Sequence, residues 1–106
     1  MTETLTITAP IWLWSGGASA TQWHFVTIEA EAAEALQATA LMRRLESGRR
    51  RGWGAIKVRV TIGDTHWDTS VFPQKSGAEW LLPIKAAVRK AEGLAPGDSA
   101  TMTLCY

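Results

Sequence analysis

The strongest structural signal in the chain is the segment Ile56-Lys57-Val58-Arg59-Val60-Thr61-Ile62-Gly63-Asp64-Thr65-His66-Trp67-Asp68-Thr69-Ser70-Val71. Apolar and polar residues alternate over its first half, which is the period-two pattern of a strand with one buried face. Gly63 and Asp64 fit a two-residue turn with glycine at the first central position. The segment therefore predicts a β-hairpin.

The turn also predicts the register of the hairpin. It places Val60 opposite Trp67 on the buried face and Arg59 opposite Asp68 on the exposed face. Opposite charges directly across two antiparallel strands are a favourable pair. The remaining predicted partners are Val58 with Thr69, Ile56 with Val71, Thr61 with His66 and Lys57 with Ser70.

Three elements are predicted on each side of the hairpin. Strands over residues 4–14 and 21–28 and a helix over residues 29–47 precede it. A short strand over residues 79–82, a helix that opens at Pro83 and a strand over residues 100–104 follow it. Pro10 cannot donate to a strand ladder, so it predicts an edge or a bulge and leaves the faces of Trp12 and Trp14 open.

The first helix has one predicted buried face. Residues 29–47 contain no Gly or Pro, and acidic side chains near the start with arginines near the end suit the helix dipole. Apolar side chains at helical spacing predict contact with the core. They are Ala33, Leu36, Ala40 and Leu41, with Leu45 extending the face.

These elements amount to about six strands and two helices in the order β-β-α-β-β-β-α-β. Because hairpins dominate and both helices lie at strand connections, we expect a mainly β protein built as an antiparallel barrel. The 106 residues, 46% hydrophobic and 20% charged, suffice for a single domain over residues 1–106. One cysteine cannot form an internal disulfide. The lack of a basic start segment or a long apolar run predicts a soluble, cytoplasmic protein without membrane contact.

Four blocks cover nearly the whole chain and carry a family resemblance. They are Trp23-His24-Phe25-Val26-Thr27, Gly52-Trp53-Gly54 with residues 58–63, residues 67–75, and residues 81–93 with Pro96-Gly97-Asp98. Together they resemble a bacterial domain family of unknown function, made of small split β-barrels and sometimes fused to bacteriocin-protection (YdeI/OmpD-associated) domains. Glu29 departs from the pattern, where members commonly have proline.

The resemblance implies a double-split β-barrel, the fold also used by AbrB and MazE DNA-binding domains. It implies neither an enzymatic activity nor a cofactor. The side chains agree with this, since Cys105, His24 and His66 lie in no recognised catalytic motif. We therefore expect a protein that is not an enzyme. We also expect no metal site, because His66 and Asp68 lack a third ligand readable from the sequence.

The six tryptophans invite a binding hypothesis. Trp67 and Trp80 fall on predicted core faces. Trp12, Trp14, Trp23 and Trp53 are the candidates for a ligand-binding surface, because aromatic rings line clefts and stack on flat ligands. Our first hypothesis is a monomeric, non-enzymatic binding or interaction domain that takes an unidentified small molecule or protein partner and needs no cofactor.

Charge supplies an alternative hypothesis. The net charge of +1 hides a block over residues 43–59 that contains seven basic residues and one acidic residue. Such a block predicts a polyanion or nucleic-acid site, formed by Arg43, Arg44, Arg49, Arg50 and Arg51. An isoelectric point only slightly above neutral argues against it.

A smaller anion site is also conceivable from the sequence. Lys85 and Arg89 stand four residues apart and would share one helix face, with Ser70 and Lys75 as further candidates. Turn capping and solvation of the helix are the alternative roles for these side chains.

Overall fold

The computed structural model describes residues 3–16, 21–47, 54–75 and 78–106. Six strands and two helices follow one another in the predicted order. The strands are β1 (Thr4–Gly16), β2 (Thr21–Ile28), β3 (Ile56–Ile62), β4 (Thr65–Pro73), β5 (Trp80–Pro83) and β6 (Ser99–Cys105). The helices are α1 (Ala30–Ser47) and α2 (Ala86–Glu92).

The strands form a closed antiparallel barrel in the order β1-β2-β5-β4-β3-β6. The first part of β1, Thr4 to Pro10, pairs with β6, and the part from Ile11 onward pairs with β2. The barrel thus has two sides. The β3–β6 side also includes the start of β1 and most of β4. The β2–β5 side also includes the end of β1 and the end of β4. The predicted mainly β barrel is confirmed.

Pro10 lies where β1 passes from one side of the barrel to the other. The inward alternation continues through it, from the half-buried Ala9 to the buried Ile11. Trp12 and Trp14 therefore belong to the outward face of β1. This resolves the question that Pro10 raised at the level of sequence.

The β3–β4 hairpin has the predicted register at every pair. Gly63 adopts a φ of 56°, a left-handed conformation that glycine reaches without the steric cost of a Cβ. On the outer face, Arg59 Nε donates to Asp68 Oδ1 at 2.9 Å. That hydrogen bond is the main reason why the pKa of the Asp68 carboxyl lies below its ordinary value.

The core consists of the inward side chains of the strands, closed by parts of both helices. Trp67 and Trp80 are buried in it, as predicted. The strands β3 and β6 contribute an unbroken inward row: Ile56, Val58, Val60, Ile62, Ala100, Met102 and Leu104. Ala33 and Leu36 of α1 and Val88 of α2 are buried in the same core cluster.

The predicted start of the second helix at Pro83 is wrong. Pro83 is the last residue of β5 and pairs with Phe25, so β5 runs one residue further than expected. Ile84 N–H then donates to the His24 carbonyl at 2.8 Å, which keeps the chain extended along β2. Lys85 is extended as well, and α2 begins at Ala86. The pairing with β2 delays the helix by three residues.

The predicted burial of Leu41 and Leu45 is also wrong. Leu41 is 53% and Leu45 70% exposed, whereas Ala33 and Leu36 are buried. Ala40 is still packed against the core, but a cavity lined by Leu41, Arg44, Pro73 and Trp80 opens beside this part of α1. Helical spacing predicts which side chains share a face, but it does not predict where the packing partner ends.

Candidate functional site

The two sides of the barrel present different outer surfaces. On the β3–β6 side, threonines face each other across β1 and β6, with Thr8 Oγ1 2.8 Å from Thr101 Oγ1. The outer face of β3 and β4 there carries the Arg59–Asp68 ion pair. On the β2–β5 side the outward residues include Thr27 but are otherwise mostly aromatic or aliphatic: Trp12, Trp14, Trp23, Phe25, Phe72, Leu81 and Pro83.

These outward side chains, together with Gln74, line a groove of about 460 Å³ on the surface of the barrel. We call it the aromatic groove. Strand register brings its residues together, because Trp12 pairs with Phe25 and Trp14 with Trp23 across β1 and β2. Phe25 in turn pairs with Pro83 of β5. Since strand side chains alternate between faces, partners two residues apart share this outer face.

Contacts hold the inner rings of the aromatic groove in fixed orientations. Trp12 Nε1 donates to Thr27 Oγ1 at 2.8 Å. The Phe25 ring centroid lies 5.3 Å from that of Trp12, with the planes tilted by 41°. It lies 6.1 Å from that of Trp23, with nearly parallel planes. These distances are typical of favourable aromatic pairs, so the groove floor is preorganised.

The outer rings of the aromatic groove are open to solvent. Trp14 is 46% and Trp23 49% exposed. The Trp14 ring folds over Gly16, where a Cβ would collide with it. The absence of a side chain at position 16 therefore allows this ring orientation at the end of β1.

Three of the four tryptophans predicted as ligand-binding lie together in the aromatic groove. Trp53 lies outside the described residues. Phe25, Phe72, Leu81 and Pro83 were missed as groove residues. The positions of Phe72, Leu81 and Pro83 in the groove depend on β5 lying between β2 and β4. This pairing joins segments that are distant in sequence. Phe25 could have been predicted as a groove residue, because it lies two residues after Trp23 on the same strand and therefore on the same face.

A second cavity, of about 390 Å³, adjoins the aromatic groove at Trp23 and Pro83. We call it the cationic cavity, because Lys85 and Arg89 line it and Asp68 is the one acidic residue among its described lining. Arg89 Nε donates to the Ile84 carbonyl at 3.2 Å. These contacts bring two of the four residues suggested for a small anion site, Lys85 and Arg89, into one cavity.

His24 stands beside Arg89 in the cationic cavity. Its Nε2 lies 3.3 Å from Arg89 Nη1. Burial and, secondarily, the charge of Arg89 lower the pKa of the imidazole below 6.5. The ring is therefore neutral at pH 7, with Nε2 accepting from Arg89 and the proton on Nδ1. Nδ1 is buried and has no partner among the described residues.

The arginines of the polyanion hypothesis are described only in part. Arg43 and Arg44 lie exposed in the last turns of α1. Arg49, Arg50 and Arg51 fall outside the described residues. Within the same basic block, Arg59 is already engaged by Asp68. The polyanion site stays a prediction.

Within residues 3–16, 21–47, 54–75 and 78–106, no three or more His, Cys, Asp or Glu side chains gather where they could hold a metal ion. Neither helix described for the chain combines the length and apolar character needed to cross a membrane.

A six-stranded antiparallel barrel with two connecting helices and an outer aromatic groove defines the class: a small β-barrel domain. The family model described as Domain of unknown function (DUF1905) matches residues 8–104. The chain belongs to this family. This confirms the expected membership of a small barrel family of unknown function. No curated protein matches the chain.

Proposed function

We propose that this chain is a non-enzymatic binding domain whose aromatic groove takes the flat, apolar ring system of a small molecule. The observation that carries the proposal is the concentration of aromatic side chains on the outward face of the β2–β5 side. Outward strand residues of a barrel ordinarily face water and are polar, as they are on the β3–β6 side. A contiguous, partly exposed apolar surface of this kind is a mark of an interaction site or a ligand-binding groove.

The dimensions of the aromatic groove suit a small ligand. Small-molecule sites commonly measure about 300–1,000 Å³ and are lined mostly by apolar side chains with few polar groups. The groove measures about 460 Å³, and Gln74 is the one polar residue among its described lining.

Ring orientation also supports binding. The Trp12–Thr27 hydrogen bond and the Trp12–Phe25 contact fix the groove floor before any ligand arrives. A preorganised surface loses less side-chain freedom on binding, so more of the favourable apolar contact remains as affinity. Each square ångström of apolar surface removed from water contributes about 25 cal/mol.

A neutral flat probe tests the proposal. We expect 2-naphthamide to shift the NMR signals of the Trp12, Trp14 and Trp23 indole N–H groups, and we expect Trp23→Ala to raise its Kd about tenfold or more. Because Trp23 is half exposed, the melting temperature should change little. Leu45→Ala is the matched control, since it truncates another exposed apolar side chain outside the groove.

Two results would contradict the proposal. One is a probe that shifts signals elsewhere in the folded protein while the groove indoles stay unmoved. The other is an unchanged Kd in Trp23→Ala and in Trp14→Ala. A large fall in melting temperature for either variant would mean that these rings mainly stabilise the barrel.

A further inference from the structure

The aromatic groove and the cationic cavity adjoin each other. Trp23 and Pro83 line both of them. The short strand β5 ends at Pro83, and the chain then turns into α2, which brings Lys85 and Arg89 beside the groove. An apolar surface and a pair of positive charges therefore meet at the Trp23 ring.

The positive charges of the cationic cavity are not neutralised by the protein. Among the described residues, Lys85 and Arg89 have no carboxylate partner. Asp68 lines the same cavity, but its carboxylate already accepts hydrogen bonds from Arg59. With His24 neutral and Asp68 paired with Arg59, the positive charges of Lys85 and Arg89 remain uncompensated among the described lining residues.

The Arg89 guanidinium is held in place with donors to spare. Its Nε is bonded to the Ile84 carbonyl, and one Nη1 proton is directed to His24 Nε2. Arginine has five N–H donors, so both Nη atoms keep N–H groups for another acceptor. A guanidinium oriented in this way matches the geometry of a carboxylate, which can accept two parallel hydrogen bonds.

We propose that the ligand of this site is a flat aromatic monocarboxylate, with its ring system on Trp14 and Trp23 and its carboxylate on Arg89 and Lys85. This inference rests on the proposed function and specifies the class of ligand. The oriented Arg89 guanidinium, with Lys85 beside it in the cavity lining, suits a carboxylate, which accepts two parallel hydrogen bonds. A neutral aromatic ligand would leave both cations unpaired, and a dianion such as a phosphate monoester would be repelled more strongly than a monocarboxylate by Asp68, which lines the same cavity.

A matched pair of probes separates this inference from the proposed function. The neutral 2-naphthamide and the anionic 2-naphthoate share a ring system and differ in the charged group. We expect wild-type protein to bind 2-naphthoate about tenfold more tightly, because hydrogen bonds to a charged acceptor are stronger than neutral ones. Isothermal titration calorimetry measures both Kd values, and raising the salt concentration should reduce the difference.

Variants locate the source of the preference. Arg89→Met and Lys85→Met should each remove most of the preference for 2-naphthoate, because they should weaken its binding far more than that of 2-naphthamide. Lys90→Met is the matched control, because it removes a positive charge from the same helix at an exposed position outside the cavity. Binding of 2-naphthamide also verifies that each variant is folded. If Arg89→Met fails to fold, Lys85→Met still tests the inference.

The outcomes are distinguishable. Equal Kd values for the two probes in the wild-type protein would overturn the monocarboxylate assignment and leave the aromatic groove standing. The assignment would also fail if the preference persisted in both cavity variants, or if 2-naphthyl phosphate bound more tightly than 2-naphthoate. Failure of both naphthalene probes to bind would remove the proposed function together with this inference.

Discussion

A single histidine links the charge of the cationic cavity to the stability of the fold. His24 lies on the face of β2 that carries the buried Val26 and Ile28. Protonation of its ring would place a second positive charge 3.3 Å from the Arg89 guanidinium, in a partly desolvated position. Burial and Arg89 therefore lower the pKa of His24 in the folded state.

Stability should fall as the pH is lowered below about 6.5. The pKa of His24 is lower in the folded than in the unfolded chain, so the unfolded state binds more protons between the two values. The free energy of unfolding thus rises with pH through this window. The contribution of His24 to it is complete above the pKa of the unfolded chain. His24→Gln should remove this dependence, and Arg89→Met should weaken it. Urea denaturation at a series of pH values measures both effects.

The matched control for that series is His66→Gln, which removes the other histidine, an exposed residue of β4. The titration of Asp68 does not affect the stability in the pH range where His24 titrates. Its lowered pKa supplies stability that is lost only as the pH falls below about 3.8. An identical pH dependence in wild-type protein and His24→Gln would show that the imidazole does not cause the loss.

At the scale of elements, local signals were predicted well and distant packing was not. The β3–β4 hairpin was predicted pair by pair, because a two-residue turn with Gly63 sets the register locally. The aromatic groove was found only through its tryptophans. Phe72 and Leu81 reach it because β5 pairs with β4, and Pro83 because β5 pairs with β2. No turn between neighbouring strands indicates the pairing of β5 with β2.

For the helix α1 as well, the sequence predicts which residues share a face but not how far along the helix that face is packed. Leu36 is fully buried, whereas Leu45, on the predicted buried face, is 70% exposed. Leu36→Ala should lower the free energy of unfolding by about 2–5 kcal/mol, because it leaves a cavity in the core. Leu45→Ala should change it by less than about 0.5 kcal/mol. Urea denaturation compares the same Leu→Ala substitution at a buried and at an exposed position. Equal losses in the free energy of unfolding would mean that the second half of α1 is packed.

At the scale of the whole molecule, closure of the barrel joins its two dissimilar sides. The strand β6 lies between β1 and β3, and its Leu104 pairs with Leu5 on one side and Val60 on the other. Beyond β6, Tyr106 and Glu3 exchange backbone hydrogen bonds of 2.9 and 3.0 Å. The aromatic groove lies on the β2–β5 side, yet β1 contributes Trp12 and Trp14 to it and also carries the pairing with β6.

Because β1 belongs to both sides and pairs with β6, which closes the barrel, we expect the whole barrel to unfold as one unit. Leu104→Ala should cost about 2–5 kcal/mol, since Leu104 is fully buried. Small single domains unfold as one cooperative unit, so the loss should appear equally on both sides. The urea midpoints followed by far-ultraviolet circular dichroism and by the Trp14 and Trp23 indole N–H signals should shift together, while 2-naphthamide affinity in the folded variant stays unchanged. Separate midpoints would mean that the aromatic groove belongs to a sheet that is stable without barrel closure.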